Sequence, residues 1–282
     1  MFLTGPPDDR TAPVRLRVGR AECRWFDGNS ELATDPGLPG YLADMVAPYG
    51  LALREDVIAA GAGHSYGDMA EPLIEALTGP DSPVDLLVLV HAMHDVRFGR
   101  NTATYLGSRC PGDPLAFAVC DQGVAGPFTA LRLIESYAAT GACRRALLIV
   151  VEQAGLHYEL AAPAPVPERH AAVALLLEES PDAGAVTVRQ HTEVPPDRVA
   201  ELLAADVAEL SGESPEPPLI AGAGLPPMST MDGVVTPPAG QPCTGVWWEL
   251  AGWQGRGRRV LLADYDPGLG YLCTGAVSGH EN

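Results

Sequence analysis

The side chains best suited to chemistry are one cysteine and a few histidines. Cys120 ends an apolar stretch, four residues ahead of Val124, in PLAFAVCDQGVAGPF (residues 114–128). A thiol becomes a nucleophile when a base or a helix dipole lowers its pKa, and no histidine stands near Cys120 in the sequence. It is read first as a core cysteine, with a nucleophilic role as the alternative. His64 and Ser65 in GAGHSYGD could form a Ser/His pair. Side chains adjacent in sequence point apart, however, and Ser65 suits the N-cap of a helix beginning near Tyr66. His91, His94 and Asp95 form an HxxHD group behind another apolar stretch. A zinc centre needs three or four ligands in fixed geometry. These three are therefore expected to be loop or interface residues, with acid–base work by His94 or metal binding as the alternatives.

Other cofactor signals are missing, so no cofactor and no metal are expected. The six cysteines are scattered without a CxxC pair, which excludes a disulfide framework or a zinc signature. Gly61 and Gly63 belong to a glycine-rich turn that has neither GxGxxG nor GK[ST] spacing. All 18 basic residues are arginines, against 36 acidic ones, for a net charge of −18. Such a chain lacks the basic groove that nucleic acids require and is a poor partner for an anionic membrane. No apolar run approaches a spanning helix. The first 20 residues mix Pro, Asp and Arg, unlike a signal peptide, so a soluble cytoplasmic protein is expected.

The elements that must position these residues are legible in outline. Val84–Val90 (VDLLVLV) and Ala146–Val151 (ALLIVV) are continuous apolar runs, the pattern of strands buried on both faces. A helix over Gly67–Leu77 precedes the first run. Another over Phe128–Ala139, stopped by Gly141, precedes the second, and Val119 ends a short strand between them. Residues 161–168 (AAPAPVPE) read as a proline-rich joint. Beyond it come strands at Ala172–Leu177 and Ala185–Val194, then a helix capped by Asp197 that carries Val199, Leu203 and Leu210. A Pro/Gly-rich stretch, Ser211–Pro242, holds a short strand at Leu219–Ala221. A helix at Gly245–Trp253 and strands at Val260–Ala263 and Leu272–Val277 complete the chain. Two α/β halves of similar plan, residues 1–165 and a shorter 166–282, imply an internal duplication.

The segment spanning residues 114–152 resembles the nucleophile region of thiolase-fold condensing enzymes, of the ketoacyl-ACP synthase III type. The family pattern V-S-Q-x-N-C-A-S-G-L-x-A-L, a helix, then G-x-x-R-R-A-L-x-V lies over VCDQGVAGPF (119–128), Ala130-Leu131 and GACRRAL (141–147). The resemblance extends more weakly to DLLVLVHAMHD (85–95), to HAAVALLLE (170–178) as the strand opening the C-terminal half, and to LLADYDPGLGYLCTGAV (261–277). It implies a five-layer αβαβα fold built from two duplicated α/β halves.

The same resemblance implies that the family's Cys-His-Asn triad is degenerate here. Val124 occupies the nucleophile position, Gly222 the histidine position and Gln241 the asparagine position, and no histidine lies between His191 and His280. Valine forms no thioester, and glycine has no side chain to donate a hydrogen bond. Trp247, Trp248 and Trp253 are expected either to fill core and interface or to plug the vacated acyl tunnel. The expected function is a non-catalytic subunit that pairs with an active condensing enzyme in polyketide, fatty-acyl or other specialised metabolism. It would form a heterodimer, or a homodimer, with acyl carrier protein docking on the less acidic partner. The alternative is acyl transfer, thioester hydrolysis or cyclisation through a repurposed site using His64, His94 or Cys120. For this family 282 residues is short, and the deficit is expected in the C-terminal half.

Overall fold

The computed structural model describes residues 15–161, 164–180, 186–212, 217–227, 233–253 and 259–278. Strand β1 (Leu16–Phe26) opens it, with Leu16 and Val18 turned into the core. This strand escaped the sequence reading because arginines and glutamate interrupt its apolar positions. Short helices α1 (Leu38–Val46) and α2 (Glu55–Ala59) lead to α3 (Tyr66–Leu77) and to β2 (Leu86–His91), buried up to its last residue. Then follow α4 (Thr102–Arg109), β3 (Leu115–Cys120), α5 (Gly126–Ala139), β4 (Arg145–Glu152) and β5 (His170–Glu179).

These strands form one sheet in the order β1-β5-β4-β2-β3. Strand β2 runs parallel to β3 and β4, whereas β5 runs antiparallel to both β4 and β1. The strand expected to open the C-terminal half thus completes the first sheet. Its residues are apolar on both faces, and only a central position between β1 and β4 covers both. The chain changes sheet between Glu179 and Thr187.

The second sheet repeats the plan. It contains β6 (Thr187–His191), β7 (Leu219–Ala221), β8 (Val234–Val235), β9 (Arg259–Asp266) and β10 (Tyr271–Ser278), with α6 (Val199–Ser211) and α7 (Gly245–Gly252) between them. The order β6-β10-β9-β7-β8 places first, fifth, fourth, second and third strands as in the first sheet, with the same directions. The duplicated α/β architecture expected from the sequence is therefore present.

Alternation along the strands builds the layers. In β2, Leu87 and Leu89 pack with Met69, Leu73 and Leu106 of α3 and α4, while Leu86, Val88 and Val90 face α5. In β9, Val260 and Leu262 face that same central layer, and Leu261 and Ala263 pack against Val199 and Leu203 of α6. The result is helix, sheet, helix, sheet, helix, with α5 and α7 sandwiched in the middle. Trp247 of α7 is fully buried there, its ring edge-on to Phe128 at 5.1 Å, and Trp248 stacks on Trp25 of β1 at 3.9 Å.

Two capping expectations are corrected. Ser65 does occupy the N-cap of α3, but its hydroxyl makes no capping bond. Asp95 supplies the acceptor instead: Oδ1 receives the amides of Tyr66 (3.1 Å) and Arg97 (3.0 Å), and Oδ2 the Thr102 hydroxyl (2.7 Å). Asp197 lies inside a 3-10 turn begun by Pro196, and α6 starts beyond it without a side-chain cap. Asp95→Ala is expected to cost about 1–2 kcal/mol in urea unfolding, as loss of a cap does, whereas Ser65→Ala should change little.

Candidate functional site

The turn after β3 sets the site. Asp121 adopts a left-handed φ of 59°, and Gly123 one of 50°. This bends the chain through a 3-10 turn, Gly123–Ala125, into α5, whose Gly126 and Pro127 form its first turn. Val124 is buried on that turn and faces a cavity of about 440 Å³. Met93, Val151, Leu156 and Leu269 give the cavity apolar walls. Ala164, Pro165, Val166 and Pro167 form another side, so the proline-rich stretch expected to be a joint is a cavity wall over its described part. None of Trp247, Trp248 and Trp253 lines it: Trp247 is buried in the core, and Trp248 and Trp253 pack against that core.

Gly222, which the resemblance set at the histidine position, has no room for a side chain. A Cβ there would stand 2.1 Å from Cγ of Asp264. Asp264, on β9, is buried and held by the Tyr265 amide on Oδ1 at 2.8 Å and by the Gly224 amide. Burial pushes its carboxyl up to about 8; the two amide hydrogen bonds pull the other way, and the charges of Asp266 and Glu152 add to the rise. An unfolded aspartate titrates near ~3.9. The folded chain therefore retains a proton that the unfolded chain releases between those values. Stability from this group is full below about pH 4, falls as pH rises towards 8 and is level above. Between pH 5 and pH 8, wild type is expected to lose at least about 2 kcal/mol more than Asp264→Asn in urea unfolding.

Gln241, which the resemblance set at the asparagine position, is equally committed. Its Oε1 accepts from the Arg169 amide, and its Nε2 donates to Glu152, to the Arg169 carbonyl and to Thr244 Oγ1 at 3.2–3.3 Å. The chain instead turns the next residues, Pro242 and Cys243, towards the cavity. Beneath them lies Glu152, almost fully buried. It accepts from the amides of Cys243 (2.5 Å) and Thr244 (2.8 Å), from Thr244 Oγ1 (2.5 Å) and from Gln241. It thus binds the free amides at the start of α7, where the helix dipole favours an anion. Burial raises its pKa, and the bonds from Thr244 oppose the rise.

No thiol here is activated. Cys243 is buried, and burial, reinforced by Glu152, Asp264 and Asp266, holds it well above the ordinary thiol range; its Sγ points to the Gly123 carbonyl. Cys120 is exposed, which corrects the expectation of a core cysteine: β3 is the edge strand, and its last residue lies outside the packed layers. Partial burial and the adjoining Asp121 raise its pKa too.

The candidate histidines are dispersed. His64 contacts the Gly28 carbonyl through Nε2 at 2.9 Å and packs against His170, which burial and then His64 push down to about 4. His91 Nδ1 lies 2.8 Å from the Met93 carbonyl, and His94 is exposed. No group of three or more His, Cys, Asp or Glu suitable for a metal occurs among the described residues, and no described helix is long and apolar enough to cross a membrane.

The carboxylates at the site were missed by the sequence reading. Asp121, Glu152 and Asp266 line the cavity, and among the described residues no Arg or His does. Asp266 Oδ1 receives the amides of Gly268 and Leu269, both at 3.0 Å, while Oδ2 lies against Gly123, 2.1 Å from where a Cβ would sit. The available signal was a charged residue closing an apolar strand, as in ALLIVVE and VLLADYD.

No family model and no curated protein matches this sequence. Solved structures do resemble the fold over nearly its whole length. The chain is similar to ChlB3, described as an acyltransferase, at 17% identity and a TM-score of 0.62, covering 95% of this chain and 98% of that one. The 3-oxoacyl-(acyl carrier protein) synthase III FabH of Pseudomonas aeruginosa PAO1 aligns at 14% identity and a TM-score of 0.63, covering 95% and 99%. AbyA1, a tetronic acid condensing enzyme, aligns at 18% and 0.56, covering 76% and 84%. The fold is that of the thiolase-like condensing enzymes.

Proposed function

We propose that this thiolase-fold chain is a ketosynthase III-like subunit without condensing chemistry of its own, which pairs with an active condensing enzyme in polyketide, fatty-acyl or other specialised metabolism. The observation that carries this reading is the occupation of the three triad positions. Val124 offers no nucleophile, Asp264 fills the space above which a histidine would stand, and every polar atom of the Gln241 amide is engaged. Covalent catalysis and oxyanion stabilisation therefore lack their groups.

Pairing is supported by β3. It is the outer strand of the first sheet, and its Leu115 is exposed at 37%, so its free edge can accept another strand. With a surface of net charge −18, acyl carrier protein, itself acidic, would dock on the less acidic partner. Acyl-group transfer is the second reading, favoured by the description of ChlB3 alone.

The test is co-expression with intact Cys-His-Asn condensing enzymes, followed by affinity capture and mass measurement of the complex. A one-to-one heterodimer is expected. A monomer or homodimer with every candidate would refute the pairing. Thiol release from acyl-thioesters by the purified chain, lost in His94→Ala or Cys120→Ala, would establish the second reading instead.

A further inference from the structure

The cavity beside Val124 is closed to the family's chemistry but not filled. A void of about 440 Å³ is within the range of small-molecule sites. Its walls are chiefly apolar, with Val124, Leu156, Val166 and Leu269 among them, and among the described residues its charged side chains are all acidic. Glu152 at the floor has its acceptor sites filled by four hydrogen bonds, so its remaining demand for donors is small. Asp266 differs. Its Oδ1 is bound by two backbone amides, whereas no hydrogen bond to Oδ2 is formed among the described residues. Asp121 stands exposed at the same turn. The other polar groups on the lining are not cations: the Tyr66 hydroxyl donates to the Met93 carbonyl at 2.9 Å, and Cys243 remains a thiol.

We propose that this cavity is a binding site for an apolar primary amine, its ammonium group on Asp266 and its hydrocarbon part against Val124, Leu156 and Leu269. A fatty carboxylate, or the phosphate of a carrier arm, would meet only like charge there. An ammonium would gain a charge-assisted hydrogen bond in a site otherwise suited to hydrocarbon. The cavity is lined by residues of this one chain, so binding can be tested on the chain by itself, apart from the pairing proposed above.

The probes are decylamine, decanol and decanoate, each below its micellar concentration, titrated into the full chain by calorimetry at pH 7. Decylamine is expected to bind at one site and at least about tenfold more tightly than decanoate, as a charge-assisted contact allows. Asp266→Asn should weaken decylamine at least about fivefold and leave decanol unchanged. Glu201→Gln, a distant surface acid, should alter neither, which separates a site from general attraction to an acidic surface. Val124→Phe should abolish binding of both by filling the cavity. Decanoate binding as tightly as decylamine, non-saturating decylamine binding, or an equal loss in Glu201→Gln and Asp266→Asn would overturn the proposal. A heterodimer found with or without decylamine bears only on the pairing.

Discussion

Gly222→Ala is expected to destabilise the protein by about 3 kcal/mol or more, although it adds a single methyl group. Overpacking a core usually costs about 1–3 kcal/mol, because neighbours can shift off their rotamers. Here the neighbour cannot retreat easily. The added carbon would stand 2.1 Å from Asp264 Cγ and at 2.1 and 2.3 Å from its two oxygens, and that carboxyl is pinned by backbone amides. Gly222 is itself held by its amide bond to the Ala263 carbonyl at 2.8 Å. The check is a double-mutant cycle in urea. Asp264→Ala opens the space, so Gly222→Ala should cost much less in that background, with a coupling of at least about 1 kcal/mol. Additive effects would mean that the two positions do not compete for space. The consequence for chemistry is direct: placing a histidine at 222 requires removing Asp264 first, so Val124→Cys with Gly222→His is not expected to yield a condensing enzyme.

Glu152→Ala should have the larger effect of the two, about 3–5 kcal/mol, in line with removing one partner from a buried charged network. Four donors converge on this carboxylate: the amides of Cys243 and Thr244, the Thr244 hydroxyl and the Gln241 amide. With alanine at 152 they remain buried without acceptors, each at the cost of an unmade hydrogen bond. The start of α7 also loses its anion. A fall in Tm of roughly 10 °C is expected for a chain of this size. Glu152→Gln should fall between wild type and alanine: the shape is kept, but an NH2 replaces one acceptor. A Tm within about 2 °C of wild type for Glu152→Ala would show that water replaces the carboxylate at no cost. Of the carboxylates near the cavity, Glu152 is thus a structural support, whereas Asp266 keeps an oxygen to spare and Asp121 stands exposed at the turn.

The sequence carried the fold further than the site. Strands β2, β4 and β9 were legible because both of their faces are apolar, and a run such as LLVLV can be satisfied only between two helical layers. Helix α5 was legible from its spacing and from Gly141, which takes a left-handed φ of 74° at its end. Strand β1 was not, because arginines alternate with its buried Leu16 and Val18 at an edge of the first sheet. Residue identity and the family resemblance gave Val124, Gly222 and Gln241 as the expected triad positions, since identity is local.

What stands in place of those groups is not local. Asp264 meets Gly222 because β7 and β9 are parallel neighbours, with Ala221 beside Ala263. Glu152 meets Thr244 across 92 positions because the end of β4 points at the start of α7. Asp95 caps α3 from 29 residues away, where a nearer serine was the local candidate. In each case a buried polar group takes a partner that only strand pairing and helix packing bring within reach. Composition and periodicity determined that this acidic, lysine-free chain would fold as two α/β halves. The tertiary structure decided that its cavity is open, chiefly apolar and lined by carboxylates, because burial and backbone amides, and not sequence neighbours, choose which carboxylates are bound and which are left to face it.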